Sequence, residues 1–364
     1  MYILIALLVF GFLIFIHELG HYIAARLTKV RIFEFAIGMG PKLLWYESKK
    51  TGIVYSLRMI PIGGFVSMDG ELATGENSQP EDAEIRALRA RTAPQVGATS
   101  LGIKPAWQRL IVHVAGATMN LIFGFLAAII LTCVLQVGGT TVAEFVPAEG
   151  KDVAYTQSQG LAVGDEIVAV NGKRVYIADQ LFYEIMHEGG TDEPLTLTVV
   201  RDGVKQDLTI HFPTLTEQGQ SFGDYDFLVY GEKKTFGVVI KQSFHKSCYM
   251  VNMVWDSLID LITGRYSFEA VSGPIGTTTV IADAAKMGWQ NLFFLMALIS
   301  VNLGIFNLLP LPALDGGHIF YTLIELATRR RLPEKVVGIL DSVGLILLMG
   351  LMVVVALKDI FALF

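Results

Sequence analysis

Four long apolar runs constrain this chain more than any other feature. Met1 to Ile16 carries no charge, and the run resumes past a short polar motif to Leu27. Leu110–Val137, Asn291–Leu314 and Val336–Phe364 are the other three. A spanning helix needs about 20 predominantly apolar residues, so the sequence predicts a polytopic α-helical membrane protein with four transmembrane helices. A cleaved signal peptide would want a basic start and a small-residue cleavage site, and Met1-Tyr2-Ile3 offers neither. With 52% hydrophobic and 17% charged residues among 364, and a mean hydropathy of +0.52, the chain fits a membrane protein carrying a soluble part. A net charge of −6 supplies no basic field, so no nucleic-acid partner is expected. Cys133 and Cys248 make neither a metal-ligand spacing nor a disulfide framework and are read as packing residues.

The segments between the runs divide the chain. Residues 1–28 are the first span and 29–71 a β region. There LLWYES and GIVYSLRM flank Lys49-Lys50-Thr51-Gly52, a hairpin turn. Ile60–Glu71, IPIGGFVSMDGE, is apolar, glycine-rich and too short to span. It reads either as a loop dipping into the membrane, with its backbone covered by protein or water, or as an ordinary surface strand and turn. Residues 72–104 read as a largely flexible loop with one short helix at Pro80–Arg91. In the second span, 105–139, the small residues Ala115, Gly116 and Ala117 permit close helix contact, and Asn120 needs a partner to be tolerable in lipid.

Residues 140–212 read as one inserted soluble α+β domain. It has turns at Asn171-Gly172 and Asp202-Gly203, and a helix at Asp179–Glu188. Residues 213–290 form a connector whose helix, His245–Thr263, is amphipathic. Val251, Val254, Trp255, Leu258 and Ile262 lie on one face, and Asn252, Asp256 and Asp260 on another, which suits a helix lying on a surface. The third span is 291–315, a loop 316–335 follows, and 336–364 is the fourth span. Basic residues cluster in the first and third inter-span segments, so both are expected in the cytoplasm. The soluble segment and both chain ends then lie outside.

Within the first span, FIHELGHYIA places His17 and His21 four residues apart with Glu18 between them. On a helix such positions share a face. Two imidazoles there can hold one zinc ion, with the carboxylate aimed at the metal's open side to take a proton from an activated water. A catalytic zinc needs a third protein ligand. Asp315, in NLLPLPALDGGHIF, is the candidate, because Pro310, Pro312, Gly316 and Gly317 break the helix and let it turn inward. An aspartate before Gly-Gly is also a common turn former, and His318 is a rival ligand. Asn302 and Asn307 read as interhelical hydrogen-bonding residues. Alternatively, Asn307 donates to a substrate carbonyl as it becomes an oxyanion.

Taken together, HELGH, IPIGGFVSMDGE, KPAWQRLIVHVAGATMN, SGPIG (Ser272–Gly276) and SVNLGIFNLLPLPALDGGH resemble the site-2 protease family of intramembrane zinc metalloproteases, in its bacterial RseP/RasP-type branch. The resemblance implies His17, His21 and Asp315 as zinc ligands and Glu18 as general base. It implies a substrate-binding role for Asn307, Pro312 and the re-entrant β-loop with Gly63, Gly64, Phe65 and Val66. It implies single-span membrane proteins as substrates, such as anti-sigma factors or remnant signal peptides, and an upstream site-1 protease acting on the same substrate. The expected location is the bacterial cytoplasmic membrane, with the active site near its cytoplasmic side. GLAVGDEIVAVNGKRV in the soluble domain resembles a PDZ domain, which would either filter substrates by size or bind exposed C-termini. Two departures stand out. The family usually has Gly-Pro where this chain has Gly116-Ala117, and there is room for one PDZ-like domain where the enteric type has two. The other reading is a catalytically inactive, zinc-bound membrane scaffold with a PDZ binding module.

Overall fold

The computed structural model describes residues 2–70, 83–92, 94–148, 150–191, 193–217, 220–265 and 271–361. In chain order the elements begin with helix α1 (Tyr2–Leu27), strands β1 (Ile32–Glu47) and β2 (Val54–Met68), and helices α2 (Ala83–Arg91) and α3 (Ala106–Val134). Next come β3 (Gly138–Phe145), α4 (Tyr155–Ser158), β4 (Glu166–Val170), β5 (Lys173–Arg174), α5 (Ala178–Glu188), β6 (Leu195–Arg201) and β7 (Val204–Ile210). Strands β8 (Thr214–Glu217), β9 (Gln220–Gly223) and β10 (Phe227–Gly231) lead into α6 (Phe236–Thr263), α7 (Pro274–Lys286), α8 (Trp289–Leu308), α9 (Asp315–Thr328) and α10 (Glu334–Phe361). Four of the described helices, α1, α3, α8 and α10, are long and apolar enough to cross a membrane. The chain divides into two compact units, residues 1–124 with 272–364, and residues 125–271.

The first unit holds α1, the start of α3, and α7 to α10. Lipid offers no hydrophobic drive between helices, so close contact depends on small residues. A β-carbon on Gly20 would stand 2.3 Å from the Ala115 carbonyl oxygen, and one on Gly304 would stand 3.1 Å from that of Ala117. The Ala115-Gly116-Ala117 run therefore seats α3 between α1 and α8. No proline interrupts it, and α3 runs unbroken past Gly116-Ala117. Further along α1, Ala6, Val9 and Leu13 pack on Ile281 of α7.

β1 and β2 are each bent into two segments. Residues 34–37 of β1 pair with both 54–57 and 64–67 of β2, while 44–47 pair back onto 54–57. The result is a four-segment mixed sheet made by two strands, in which 34–37 runs alongside 54–57 in the same direction and the two outer segments run antiparallel to their neighbours. Gly38, Gly40 and Gly63 take φ values of +85°, +81° and +78° at the bends, a region that favours glycine. One face, with Phe35, Val66 and Met68, packs on Ala24 and Ala25 of α1.

The second unit is built on an antiparallel sheet in the order β10-β3-β4-β6-β7, with β5 paired to β4. Its core holds Val142, Ile167, Leu181, Ile185, Leu197, Phe212 and Phe227. The Asn171-Gly172 and Asp202-Gly203 turns have positive φ at both residues, as the dipeptides predict.

Several sequence expectations change. The stretch 213–235, which shows no period, contains the β8–β9 hairpin and β10, and β10 completes the sheet outside the expected 140–212 boundary. α6 begins at Phe236 rather than His245 and buries Gln242, Ser243, Lys246, Tyr249, Met250, Val254 and Asp260. Its Trp255, Ile259 and Ile262 are exposed, so much of the apolar face turns outward and the polar Asp260 inward. The third span ends at Leu308, and the stretch read as a loop after Asp315 is helix α9. Of the expected Pro80–Arg91 helix, 83–91 is present, while 80–82 and the rest of 71–82 lie outside the described residues, as does 93. Cys133 and Cys248 are free and exposed rather than packed.

Candidate metal centre and active site

The sequence spacing places His17 and His21 on one face of α1, and the structure brings Asp315 to them. The Nε2 atoms of His17 and His21 are 3.2 Å apart, and each is 3.1 Å from Oδ2 of Asp315. A tetrahedral ion with ligand bonds of about 2.0–2.1 Å spaces its donor atoms by about 3.3 Å. The near-equilateral triangle is therefore about the size that zinc needs. Among the described residues, this is the group that could hold a metal ion.

The imidazoles are held from behind. His21 Nδ1 donates to the Val112 carbonyl at 2.8 Å, which leaves Nε2 bare for a metal. His17 Nδ1 lies 3.1 Å from Nδ2 of Asn120, whose Oδ1 is buried without a partner. A half-turn of that amide gives His17 Nδ1–H an acceptor, removes the orphan oxygen and frees Nε2. The residues thus fit a zinc ion. Asn120 was marked by the sequence as needing a partner, and His17 is that partner. The Val112 carbonyl carried no sequence signal.

Gly116 forms the floor. A β-carbon there would stand 2.3 Å from His21 Nε2 and 2.8 Å from both Cε1 and Nε2 of His17. Opposite, Glu18 is 9% exposed and lies against the sheet. A β-carbon on Gly64 would meet Glu18 Cγ at 3.0 Å, Ile14 Cγ2 at 2.8 Å and the Ala36 oxygen at 3.0 Å. Gly64, Phe65 and Val66 pair on one side with Ile37, Ala36 and Phe35. Phe65 receives the Arg58 guanidinium over its ring at 4.8 Å, Val66 is buried, and Gly63 packs on Met39.

Asp315 opens α9, directly after the turn 309–314 that carries Pro312. Gly316 and Gly317 do not end a helix here. They let the first turn of α9 approach the Leu309 and Leu311 carbonyls, where side chains would collide. Asn307, in the last turn of α8, is part-exposed and its side chain makes no hydrogen bond among the described residues, and Asn302 is exposed. His318 stays outside the triangle. It stacks on His113 with ring centroids 5.0 Å apart, and its Nε2 lies 3.7 Å from Asp341 Oδ2.

The family model for peptidase family M50 matches residues 5–351. The chain belongs to peptidase family M50. The match covers both units of this M50 peptidase and every residue of the triangle. Relatives cover nearly its full length. A candidate zinc metalloprotease of Clostridium perfringens is 36% identical, over 99% of this chain and 98% of that protein. The zinc metalloprotease RasP of Geobacillus kaustophilus is 30% identical, over 97% and 96%. A candidate zinc metalloprotease of Fusobacterium nucleatum is 31% identical, over 99% of each.

Proposed function

We propose that this M50 peptidase hydrolyses peptide bonds within the membrane-spanning segments of single-span proteins, with His17, His21 and Asp315 holding zinc and Glu18 as general base. Family membership makes the chain a zinc metalloprotease. The observation that carries the intramembrane reading is the position of the triangle. Its two histidines lie inside α1, a helix apolar enough to span, and Glu18 is buried beside them.

Zinc, when bound, supplies Lewis-acid polarisation of the scissile carbonyl and a water of lowered pKa. The chain's own residues do the rest. Glu18 takes a proton from the attacking water and returns it to the leaving amine. Asn307, whose side-chain amide has no partner among the described residues, donates to the oxyanion. A helical substrate shields its carbonyls in its own hydrogen bonds, and unwinding it in lipid leaves each freed group several kcal/mol short. Residues 62–68, with Gly64 against Glu18, offer the unwound segment a strand to pair with. The family resemblance assigns Pro312 and Phe65 to the substrate-binding segments as well.

The second unit is a PDZ-like domain that restricts access by size. Capture of exposed C-termini is the second reading, because β10 ends the sheet and an extended peptide could add along its outer edge. An upstream site-1 protease would trim the substrate first. The basic residues of the inter-span segments support a bacterial cytoplasmic membrane location, with the PDZ-like unit outside and the cut toward the cytoplasmic side.

The test is to reconstitute the protein with a tagged single-span substrate and map the product ends by mass spectrometry. Ends inside the apolar segment support the proposal. Ends confined to the soluble flanks would mean a membrane-anchored protease of ordinary type.

A further inference from the structure

We propose that Asp341, on α10, is the positioning residue that holds Asp315 in the triangle. This rests on the reading of Asp315 as a metal ligand. A carboxylate inside an apolar helix is costly and calls for an explanation. α10 is otherwise the least enclosed of the four apolar helices.

The turn 309–314 has few ways to satisfy its backbone in lipid. Pro310 and Pro312 have no N–H to place. Leu309 N–H donates to Phe306, Leu311 N–H to Leu309, and Leu314 N–H to Leu311. Ala313 N–H has no acceptor within the turn, and it donates to Asp341 Oδ1 at 3.2 Å. Ala313 also sits at φ +67°, a conformation that a residue with a side chain seldom holds unless its surroundings impose it. Asp315 follows two residues later.

The same carboxylate reaches α9. Tyr321 Oη donates to Oδ1 at 3.3 Å, and His318 Nε2 lies 3.7 Å from Oδ2. Asp341 thus grips the turn before Asp315 and the helix after it. Three residues along α10, Gly344 permits the approach, because a β-carbon there would stand 2.6 Å from Pro312 Cβ and 2.7 Å from its oxygen. One span therefore carries both the acceptor and the gap that fit this turn.

The full-length protein in detergent tests this with Asp341→Ala, Asp341→Asn and Gly344→Ala, each assayed for zinc release to a chelator and for the visible spectrum of the cobalt-substituted form. Supporting groups behind metal ligands are worth roughly 10–100-fold in affinity. Asp341→Ala should release zinc at least about 10-fold faster, with an altered cobalt spectrum. Asp341→Asn keeps an acceptor oxygen and should stay within about 3-fold. Should Asp341→Ala fail to fold, Gly344→Ala decides, since it displaces α10 with the carboxylate intact and should also speed release. Zinc release and cobalt spectrum unchanged in Asp341→Ala, or in Gly344→Ala where that variant decides, overturn the proposal. Unsubstituted protein that holds no zinc refutes the metal reading itself, which separates the two failures.

Discussion

Gly116→Ala should fold well and lose its metal. The added carbon would lie 2.3 Å from His21 Nε2 and 2.8 Å from His17 Nε2. An ordinary contact is about 3.5 Å, so His21 must retreat by roughly 1.2 Å and His17 by roughly 0.7 Å. Zinc–nitrogen bonds of about 2.0–2.1 Å tolerate deviations of only about 0.2 Å. Both ligands leave range at once, and zinc affinity should fall by at least about 100-fold, or about 2.8 kcal/mol. Alanine is the better helix former by about 1 kcal/mol, so α3 itself loses nothing. The assay is zinc titration against a competing chelator, with circular dichroism to confirm helix content. A Gly116→Ala protein that binds zinc as tightly as the unsubstituted chain would refute the geometry of the site. Loss of helix along with zinc would show instead that Gly116 serves helix packing.

Other outcomes follow from the same geometry. Gly64→Ala should push the strand off Glu18 and Ile14, lowering cleavage about 10-fold or more while zinc content stays full, measured by proteolysis and metal analysis in one preparation. Asn120→Asp keeps an acceptor for His17 Nδ1–H and should retain zinc, whereas Asn120→Ala should weaken it by roughly 10-fold, read by chelator competition. In the second unit, burial pushes the His187 imidazole down, but its bonds to Glu188 and Asp260 outweigh that and hold it above its ordinary value, with Arg265 nearby opposing. A raised folded value stabilises fully below about pH 6.5 and is lost as pH climbs through it. Protection of α5 and α6 from hydrogen exchange, taken relative to the base-catalysed intrinsic rate, should therefore fall above neutral pH, and His187→Gln should flatten that dependence.

Much of this site was readable because its chemistry is local in sequence. His17 and His21 share one helix face by spacing alone, with Glu18 between them, and Asp315 stands out beside two prolines in an apolar stretch. What escaped is what sequence does not encode locally. The Val112 carbonyl that orients His21 is backbone, and any residue type would supply it. Gly116 read as a packing glycine, since nothing nearby in the chain reveals that two imidazoles lie over it. Gly316-Gly317 looked like a helix break, yet the glycines open α9, where close approach to Leu309 and Leu311 matters more than propensity. β10 has no internal period because its pairing with β3 is set by partners 80 or more residues away. On α6 the expected apolar face divides, with Val254 buried and Trp255 and Ile262 exposed, and periodicity could not foresee that Asp260 goes inward where His187 meets it.

The proposed mechanism requires Glu18 to perform chemistry at a zinc held by His17, His21 and Asp315. The sharpest test compares the unsubstituted protein with Glu18→Gln, both reconstituted with one single-span substrate, with zinc assayed in each. Equal zinc in both and cleavage by the unsubstituted protein alone are expected. Cleavage by Glu18→Gln at the unsubstituted rate would contradict it.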